Sequence, residues 1–511
     1  MFGRVDTSAI VGIDGRQVIV EADFGQGLPS FDMVGFLSSE VREARERVKS
    51  AIKNSGITVP AGRLTVNLSP ADLRKTGNSF DLPVALAILI ALGILPEELC
   101  RPYLFVGELA LDGNLRKING TLSHVILARS LGKTGVIVPR ENRREGALIS
   151  GIEVYGFDSL NEVLEYLLQG KYEKPEEPDT GTRKPVRDPD FSEILGQEAV
   201  KRAAAVASAG MHGLLMIGPP GTGKTLTAKR IPSILPPLSE EEQIECSRIH
   251  SVAGLLEPDE GLVRIRPFRS PHHTVSASAL VGGGSIPRPG EMSLAHNGVL
   301  FLDELPEFSK MTLEVMRQPL EDSRVVISRV HGSYVFPTRV MLVAAMNPCS
   351  CGYYPDRNRC HCSEHEVRRY LSRLSRPLLD RIDIVTEVPR VDVRKLETGN
   401  ETGMDSAGLR AMVVRAWEIQ KDRYRDLGIL FNSQLSGREI RTFCTLGKEE
   451  RTILSEAFEH LELSARAYDR ILKVARTIAD IDGAERIGTA HLLEAISYRA
   501  ADRKFFGSGN Q

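Results

Sequence analysis

The sequence has no stretch able to cross a bilayer. Its longest apolar run, around Leu82 to Leu95, is interrupted by Pro83 and Gly93 and falls short of the ~20 residues that a spanning helix needs. The N-terminus lacks the charged-then-apolar pattern of an export signal, so a cytoplasmic protein with no membrane partner is expected. Excess charge is missing too: 65 Lys and Arg stand against 67 Asp and Glu, a net charge of −2. With no global footprint for nucleic acid, any DNA contact must come from local basic patches, which a ring of subunits would concentrate. Seven cysteines in 511 residues do not make a secreted disulfide scaffold. What remains is an ordinary globular composition, 42% hydrophobic and 26% charged, long enough for two to four domains.

The stretch that organises the chain is Leu214 to Thr225, L-L-M-I-G-P-P-G-T-G-K-T: an apolar strand running into a glycine turn that ends in Lys-Thr. This is a P-loop. Gly218, Pro219, Pro220, Gly221, Thr222, Gly223, Lys224, Thr225 and Leu226 are the expected ATP-binding residues. The glycines let backbone N–H groups curl around phosphates, Lys224 supplies charge for the outer phosphates, and Thr225 offers its hydroxyl to Mg²⁺. The helix opening at Leu226 to Ile231 adds its N-terminal dipole. A second motif, G-V-L-F-L-D-E at Gly298 to Glu304, reads as a buried strand ending in two acids. Asp303 is expected to hold Mg²⁺ through water, and Glu304 to orient or deprotonate the attacking water.

Ahead of the P-loop, residues 1 to about 170 read as mixed α and β. Strands are expected at Val11 to Ala22, Arg63 to Leu68, Tyr103 to Leu109 and Gly135 to Pro139. Helices are expected at Glu40 to Asn54 and, buried, at Phe80 to Leu95. The basic series Arg42, Arg45, Arg47, Lys49 and Lys53 is either a solvated helix face or a DNA contact. The stretches T-G-N-S-F-D-L-P (Thr76 to Pro83), G-E-L-A-L-D-G (Gly107 to Gly113) and G-V-I-V-P-R-E-N (Gly135 to Asn142) resemble the proteolytic domain of Lon-type proteases, which has an S5-like fold. That resemblance puts Ser79 at the nucleophile position. The activating lysine, counted back from Pro139, falls near Leu122 in Gly120-Thr121-Leu122-Ser123, where no lysine stands. A serine without a base is a weak nucleophile, so Ser79 is expected to be a turn or helix-cap residue in a proteolytically inactive domain. From Lys171 to Phe191 four prolines among charges predict a linker.

Beyond the acidic pair, an apolar strand at Val340 to Ala345 leads to Asn347. In AAA+ ATPases a polar residue here has the sensor 1 role, contacting the γ-phosphate and its water. Pro377-Leu378-Leu379-Asp380-Arg381-Ile382-Asp383 resembles the element of magnesium chelatases and MCM helicases whose arginine reaches a neighbour's ATP. Arg381 is therefore the expected arginine finger, with Arg376 as the nearest substitute. The C-terminal part, about Ser406 to Arg503, is helical by period. Within it, Ser464 to Ile478 resembles a sensor 2 helix that would aim Arg466, or Arg470 one turn on, at the γ-phosphate. Two insertions, Glu240 to Asn297 and Arg324 to Val340, resemble the helix-2 insert and pre-sensor-1 hairpin of the AAA+ clade holding magnesium chelatases, MCM helicases and RuvB-like motors, in whose helicases the pore hairpins touch DNA backbone. The second carries Arg324, Arg329, His331 and Arg339, and Arg329 is the expected salt-sensitive contact. His272 and His273 are expected to point apart, as adjacent histidines do, which favours structural hydrogen bonding over metal ligation.

Four of the seven cysteines fall in one short window, Cys349-x-Cys351 and Cys360-x-Cys362, where random placement would put about 0.2 of one. Two thiolate pairs closing a tetrahedron around Zn²⁺ suit a reducing cytosol, although the one-residue spacing is tighter than usual. His361 and His365 are alternative ligands, and Tyr353, Tyr354, Arg357 and Arg359 make a loop able to stack on bases.

Together, the Lon-like start, R-P-F-R-S-P-H-H-T, A-H-N-G-V-L-F-L-D-E, A-A-M-N-P-C-S-C-G and P-L-L-D-R-I-D resemble the ComM/YifB family of magnesium-chelatase-like bacterial AAA+ proteins over nearly the whole chain. The resemblance implies an α/β chain in four parts: a Lon-protease-like domain (1–170), a linker (171–191), an AAA+ ATPase domain (192–395) and a helical lid (396–511). It further implies a hexameric, ATP- and Mg²⁺-dependent DNA helicase that migrates branches in single-stranded and branched DNA during recombination and natural transformation. The alternatives are a magnesium-chelatase motor subunit, disfavoured by the Lon-like start that those proteins are expected to lack, and a Lon-type peptidase, disfavoured by the missing lysine.

Overall fold

The computed structural model describes residues 1–173, 190–257, 261–330, 332–390, 404–461 and 463–506. Most of the expected linker, and His331, lie outside the described residues.

The first part is α+β. Strands β1 (Phe2–Val11), β2 (Asp14–Gly25), β3 (Ser30–Val34) and β4 (Arg63–Ser69) form a sheet of order β1-β2-β4-β3, with helix α1 (Ser39–Asn54) following β3. Helix α2 (Asp81–Ala91) is buried at every residue and packs against β1, β2 and α1. Strand β5 (Tyr103–Phe105), helix α3 (Thr121–Ser130) and strands β6 (Gly135–Pro139) and β7 (Glu153–Phe157) follow, the strands forming a second, parallel sheet of order β5-β6-β7.

Two expected strands are divided. Val11 to Ala22 straddles a hairpin: Val11 pairs with Asp14 across a two-residue loop in which Gly12 takes φ +67°. Alternating apolar residues continue through so tight a turn, so the period alone does not mark it. Tyr103 to Leu109 is interrupted by Gly107, which lies against Leu82 and Leu115; Glu108–Leu109 turns away to pair with Leu115–Arg116. Helix α2 stops short of the expected Leu95 because Gly93, at φ +75°, turns the chain out.

The basic series on α1 is not uniformly solvated. Arg47 grips the fully buried Asp81 carboxylate with Nε and Nη2, at 2.9 and 3.0 Å. Burial lifts that carboxyl to about 6 against the pull of Arg47. Ser79 sits in the turn before α2. Its carbonyl accepts from Gly107 N at 2.9 Å, while Phe80 is the N-cap and no side chain caps the helix. Leu122 is buried in α3.

The second part is a five-stranded parallel sheet. Helix α4 (Glu198–Gly210) precedes β8 (Leu214–Ile217), which feeds α5 (Lys224–Ile234) and α6 (Glu240–Ala253). Strands β9 (Phe268–Arg269) and β10 (Val299–Leu302) come next, then a hairpin of β11 (Arg324–Arg329) and β12 (Gly332–Pro337), then β13 (Met341–Met346). Helices α7 (Glu364–Leu371) and α8 (Arg376–Leu379) lead to β14 (Ile384–Glu387). The order is β9-β10-β13-β8-β14. Strands β8, β10 and β13 are buried at every residue, as expected for parallel strands covered on both faces.

The C-terminal part is helical, with α9 (Ser406–Arg423), α10 (Ala465–Ile481) and α11 (Thr489–Phe506) as its long helices. They pack on α4 and β14. No described helix is long and apolar enough to cross a membrane.

Candidate nucleotide site and the opposite face

Parallel strands bring their carboxyl ends to one edge, and β8, β13 and β10 lie side by side there. The P-loop, Asn347 and the acidic pair therefore converge although they are far apart in sequence. Gly221 and Gly223 take φ +75° and +86°, the left-handed turn that the loop needs. Gly218 is required for another reason: a Cβ there would stand 2.3 Å from Val388 O, just past β14. Lys224 Nζ donates to Gly218 O at 2.7 Å, Pro219 O at 2.8 Å and Asn347 Oδ1 at 3.2 Å. Burial pulls its ammonium down to about 8, with Asp303 pulling the other way. Thr222 Oγ1 donates to Pro219 O at 2.9 Å, and Leu226 lies half-exposed on α5.

Thr225 Oγ1 donates to Asp303 Oδ2 at 2.6 Å, so the hydroxyl and carboxylate expected to share Mg²⁺ are adjacent. Asp303 Oδ1 accepts from Glu304 N at 2.9 Å. Glu304 takes φ +50°, an uncommon conformation for a non-glycine residue, and its side chain is exposed. His273 Nδ1 lies 3.4 Å from Glu304 Oε2. The expectation that His272 and His273 point apart is wrong: their rings stack at 4.0 Å between centroids, tilted by 35°. His272 bonds Thr274 Oγ1 at 2.9 Å, as a structural histidine does. The approach of His273 to Glu304 was missed; its one sequence signal is that R-S-P-H-H leaves β9, the neighbour of β10.

Arg381 lies at the other end of the sheet. Its carbonyl oxygen would stand 2.7 Å from a Cβ on Gly213, the residue before β8, about 16 Å along the strand from Gly218. Arg381 pairs with Glu321, while Arg470 Nη2 and Arg466 Nη1 reach Asp380 at 3.1 and 4.0 Å. These groups line a cleft of about 660 Å³ that also takes in Arg339 and Lys473. Arg466 and Arg470 were expected at the γ-phosphate as a bond between lid and core. They stand instead on the Arg381 face, because α10 packs beside α4, and do not converge on this chain's own P-loop.

The two insertions meet. Arg329 Nε approaches Gly284 O at 3.4 Å, and the hairpin tip exposes Val330. The β1–β2 turn seats on the same hairpin: Gly12 abuts Val335 O, and Ile13 clusters with Val325, Ile327 and Phe336. Arg339, just past the hairpin, bonds Asn297 Oδ1 at 2.7 Å and pairs with Glu245.

Cys349, Cys351, Cys360 and Cys362 are free thiols whose sulfurs all lie within 4.8 Å of one another. Three pairs are 3.3, 3.8 and 3.6 Å apart, close to the edge of about 3.8 Å that a tetrahedral Zn–S length of 2.3 Å requires. The four can hold one metal ion. His361 and His365 are exposed and outside this group.

Comparison with known proteins places this geometry. A YifB protein of Escherichia coli is 45% identical over 501 residues, covering 98% of this chain and 97% of its own. "Competence protein ComM" of Haemophilus influenzae is 42% identical over 506 residues, with the same coverage. The chain belongs to the ComM/YifB family. Within that family, residues 190–396 match the profile "Magnesium chelatase, subunit ChlI", and 403–499 match its C-terminal counterpart. Residues 20–142 match a further profile, "Subunit ChlI of Mg-chelatase". The first domain therefore does not by itself separate ComM/YifB proteins from chelatase subunits. Extent does: the Heliobacterium mobile "Magnesium-chelatase 67 kDa subunit" is 25% identical and covers 38% of this chain. "Lon protease 2" of Bacillus subtilis is 31% identical over 160 residues, 29% of the chain, in keeping with the Lon-like stretches.

Proposed function

We propose that this protein is an ATP-driven DNA motor that works as a ring of six copies in the cytoplasm. In this reading Lys224 and the P-loop amides hold the triphosphate, and Thr225 and Asp303 hold Mg²⁺. Glu304 activates water and Asn347 reads the γ-phosphate. Arg381, Arg466 and Arg470 belong to the neighbouring copy's site. The observation that carries this reading is the division of the machinery: P-loop, acidic pair and Asn347 at one end of β8, and the cationic cleft at the other. Copies stacked head to tail bring the two ends together, and repetition of such a contact closes a ring.

The polymer is single-stranded and branched DNA, touched at the hairpin by Arg329 through the phosphate backbone. The biological setting is recombination of incoming strands during natural transformation, in line with the competence role in the name of the Haemophilus relative. The first 170 residues act as a docking module on the hairpin, without peptidase activity. Residues 171–191 link them to the ATPase core, and residues 396–511 form the lid. Zn²⁺ is held by the four thiols. A strand-exchange or Holliday-junction migration assay tests the motor reading: wild type moves the branch with ATP, while Lys224→Ala and Arg381→Ala do not, and Arg381→Ala still binds ATP.

The second reading, a chelatase-type motor that remodels a protein partner, draws on the match to the Heliobacterium subunit. ATP hydrolysis that ignores DNA and rises only with a chelatase partner would select it.

A further inference from the structure

We propose that the four-thiol metal loop is a working part of the ATP site, whose ion fixes both the P-loop and Asn347. This rests on the zinc reading above and goes beyond it by assigning the ion a task. The loop runs from Cys349 to Cys362, between β13 and α7, and contains no strand or helix of its own. Backbone bonds such as Cys360 N to Asp356 O at 2.7 Å form its turns, and the two thiol pairs close its ends on one another.

The first tie is to the γ-phosphate reader. Only Pro348 separates Asn347 from Cys349, whose fully buried sulfur accepts from Tyr354 N at 3.4 Å. The second is to the P-loop. Gly352, at φ +85°, lies so close that a Cβ would stand 2.7 Å from Pro220 Cδ and 3.8 Å from Asn347 Cγ. One residue thus abuts both walls of the phosphate site.

The far side of the loop is anchored as well. Arg390, beyond β14, stacks over Tyr353 with 4.9 Å from its guanidinium carbon to the ring centroid. Ser363, the residue after Cys362, caps α7. Just past that helix, Arg373 donates to Glu307 Oε1 at 2.8 Å, three residues beyond Glu304. The metal loop therefore touches, or is one short step from, Pro220, Asn347 and the segment carrying Glu304. An ion clamping the four sulfurs holds these walls in register; without it the thiols separate and Gly352 leaves Pro220.

The test uses the full-length protein, with zinc content and nucleotide behaviour measured separately. Fresh, reduced wild type is expected to carry about one zinc per chain. Wild type is expected to bind a non-hydrolysable ATP analogue more tightly than ADP through Asn347, and stripping the zinc, or Cys351→Ser with Cys360→Ser, to erase that difference and lower kcat at least about tenfold. Gly352→Ala keeps all four thiols and guards against a folding artefact. It is expected to retain its zinc and to stay folded at assay temperature, with a melting temperature lowered by the strain of a Cβ at φ +85°, yet to lose kcat several-fold because the added methyl pushes Pro220 and Asn347 apart. Zinc absent from fresh protein overturns the metal reading and this proposal with it. Zinc present, with unchanged kcat and nucleotide preference in folded zinc-stripped protein or in Gly352→Ala, overturns the coupling alone.

Discussion

Thr225 Oγ1 and Asp303 Oδ2 stand 2.6 Å apart across the gap between β8 and β10. That contact joins the P-loop to the acidic strand across a sequence separation of 78 residues. In the proposed mechanism it sets where Mg²⁺ would sit relative to Glu304, whose backbone N–H donates to the other Asp303 oxygen.

Glu304 is an exposed carboxylate beside His273. Glu304→Gln keeps its shape but removes its basicity, so ATP binding is expected to persist while hydrolysis falls by at least about 10²-fold. His273 Nδ1 approaches the same carboxylate at 3.4 Å. A contact this exposed is worth at most about 1 kcal/mol, so His273→Ala is expected to change ATP turnover by no more than about fivefold, with KM for ATP unchanged. Steady-state ATPase kinetics check both.

Lys224, pulled down to about 8 by burial, should give ATP binding a pH dependence. The ammonium, which attracts phosphate, is the form present below about 8; the neutral amine prevails above. ATP affinity of the free protein is therefore expected to be full near pH 7 and about tenfold weaker at pH 9. Equilibrium titration with a fluorescent ATP analogue measures it, and Lys224→Ala should be weak and flat across the same range.

The hairpin arginine predicts a salt effect. Arg329→Ala is expected to weaken single-stranded DNA binding regardless of sequence. It should also make the plot of log affinity against log salt shallower by about one for each contacting subunit. Fluorescence anisotropy at several salt concentrations gives the slope. Arg339→Ala should leave that slope unchanged, because its guanidinium is held by Asn297 and Glu245.

In the first domain, the Arg47–Asp81 pair is structural. Arg47→Ala strands a fully buried carboxylate and is expected to cost about 3 kcal/mol in denaturant unfolding. Adding Asp81→Leu should recover much of the loss, because no buried charge then lacks a partner. Ser79→Ala should change neither stability nor activity.

The parts legible in the sequence are those in which chemistry and local structure share one short stretch. Leu214 to Thr225 is a strand, a turn and a phosphate site in twelve consecutive residues, and the cysteine pairs are close in sequence as in space. What escaped depended on packing between distant elements. His273 and Glu304 are brought together by the pairing of β9 with β10. The face on which Arg466 stands is set by how α10 docks on α4, which no motif in Ser464 to Ile478 encodes. The β1–β2 turn was hidden for the opposite reason: its loop is too short to break an alternation that both strands share.

Mixing two dead variants decides whether one copy supplies the P-loop and its neighbour Arg381. Lys224→Ala and Arg381→Ala alone should each lose at least about 10³-fold in ATP turnover. Assembled together in equal amounts, they form interfaces at random, and about a quarter of these pair an intact P-loop with an intact Arg381. The mixture is expected to recover turnover toward that fraction of wild type. A mixture as inactive as its two components, in rings shown by mass to contain both variants, would contradict the account.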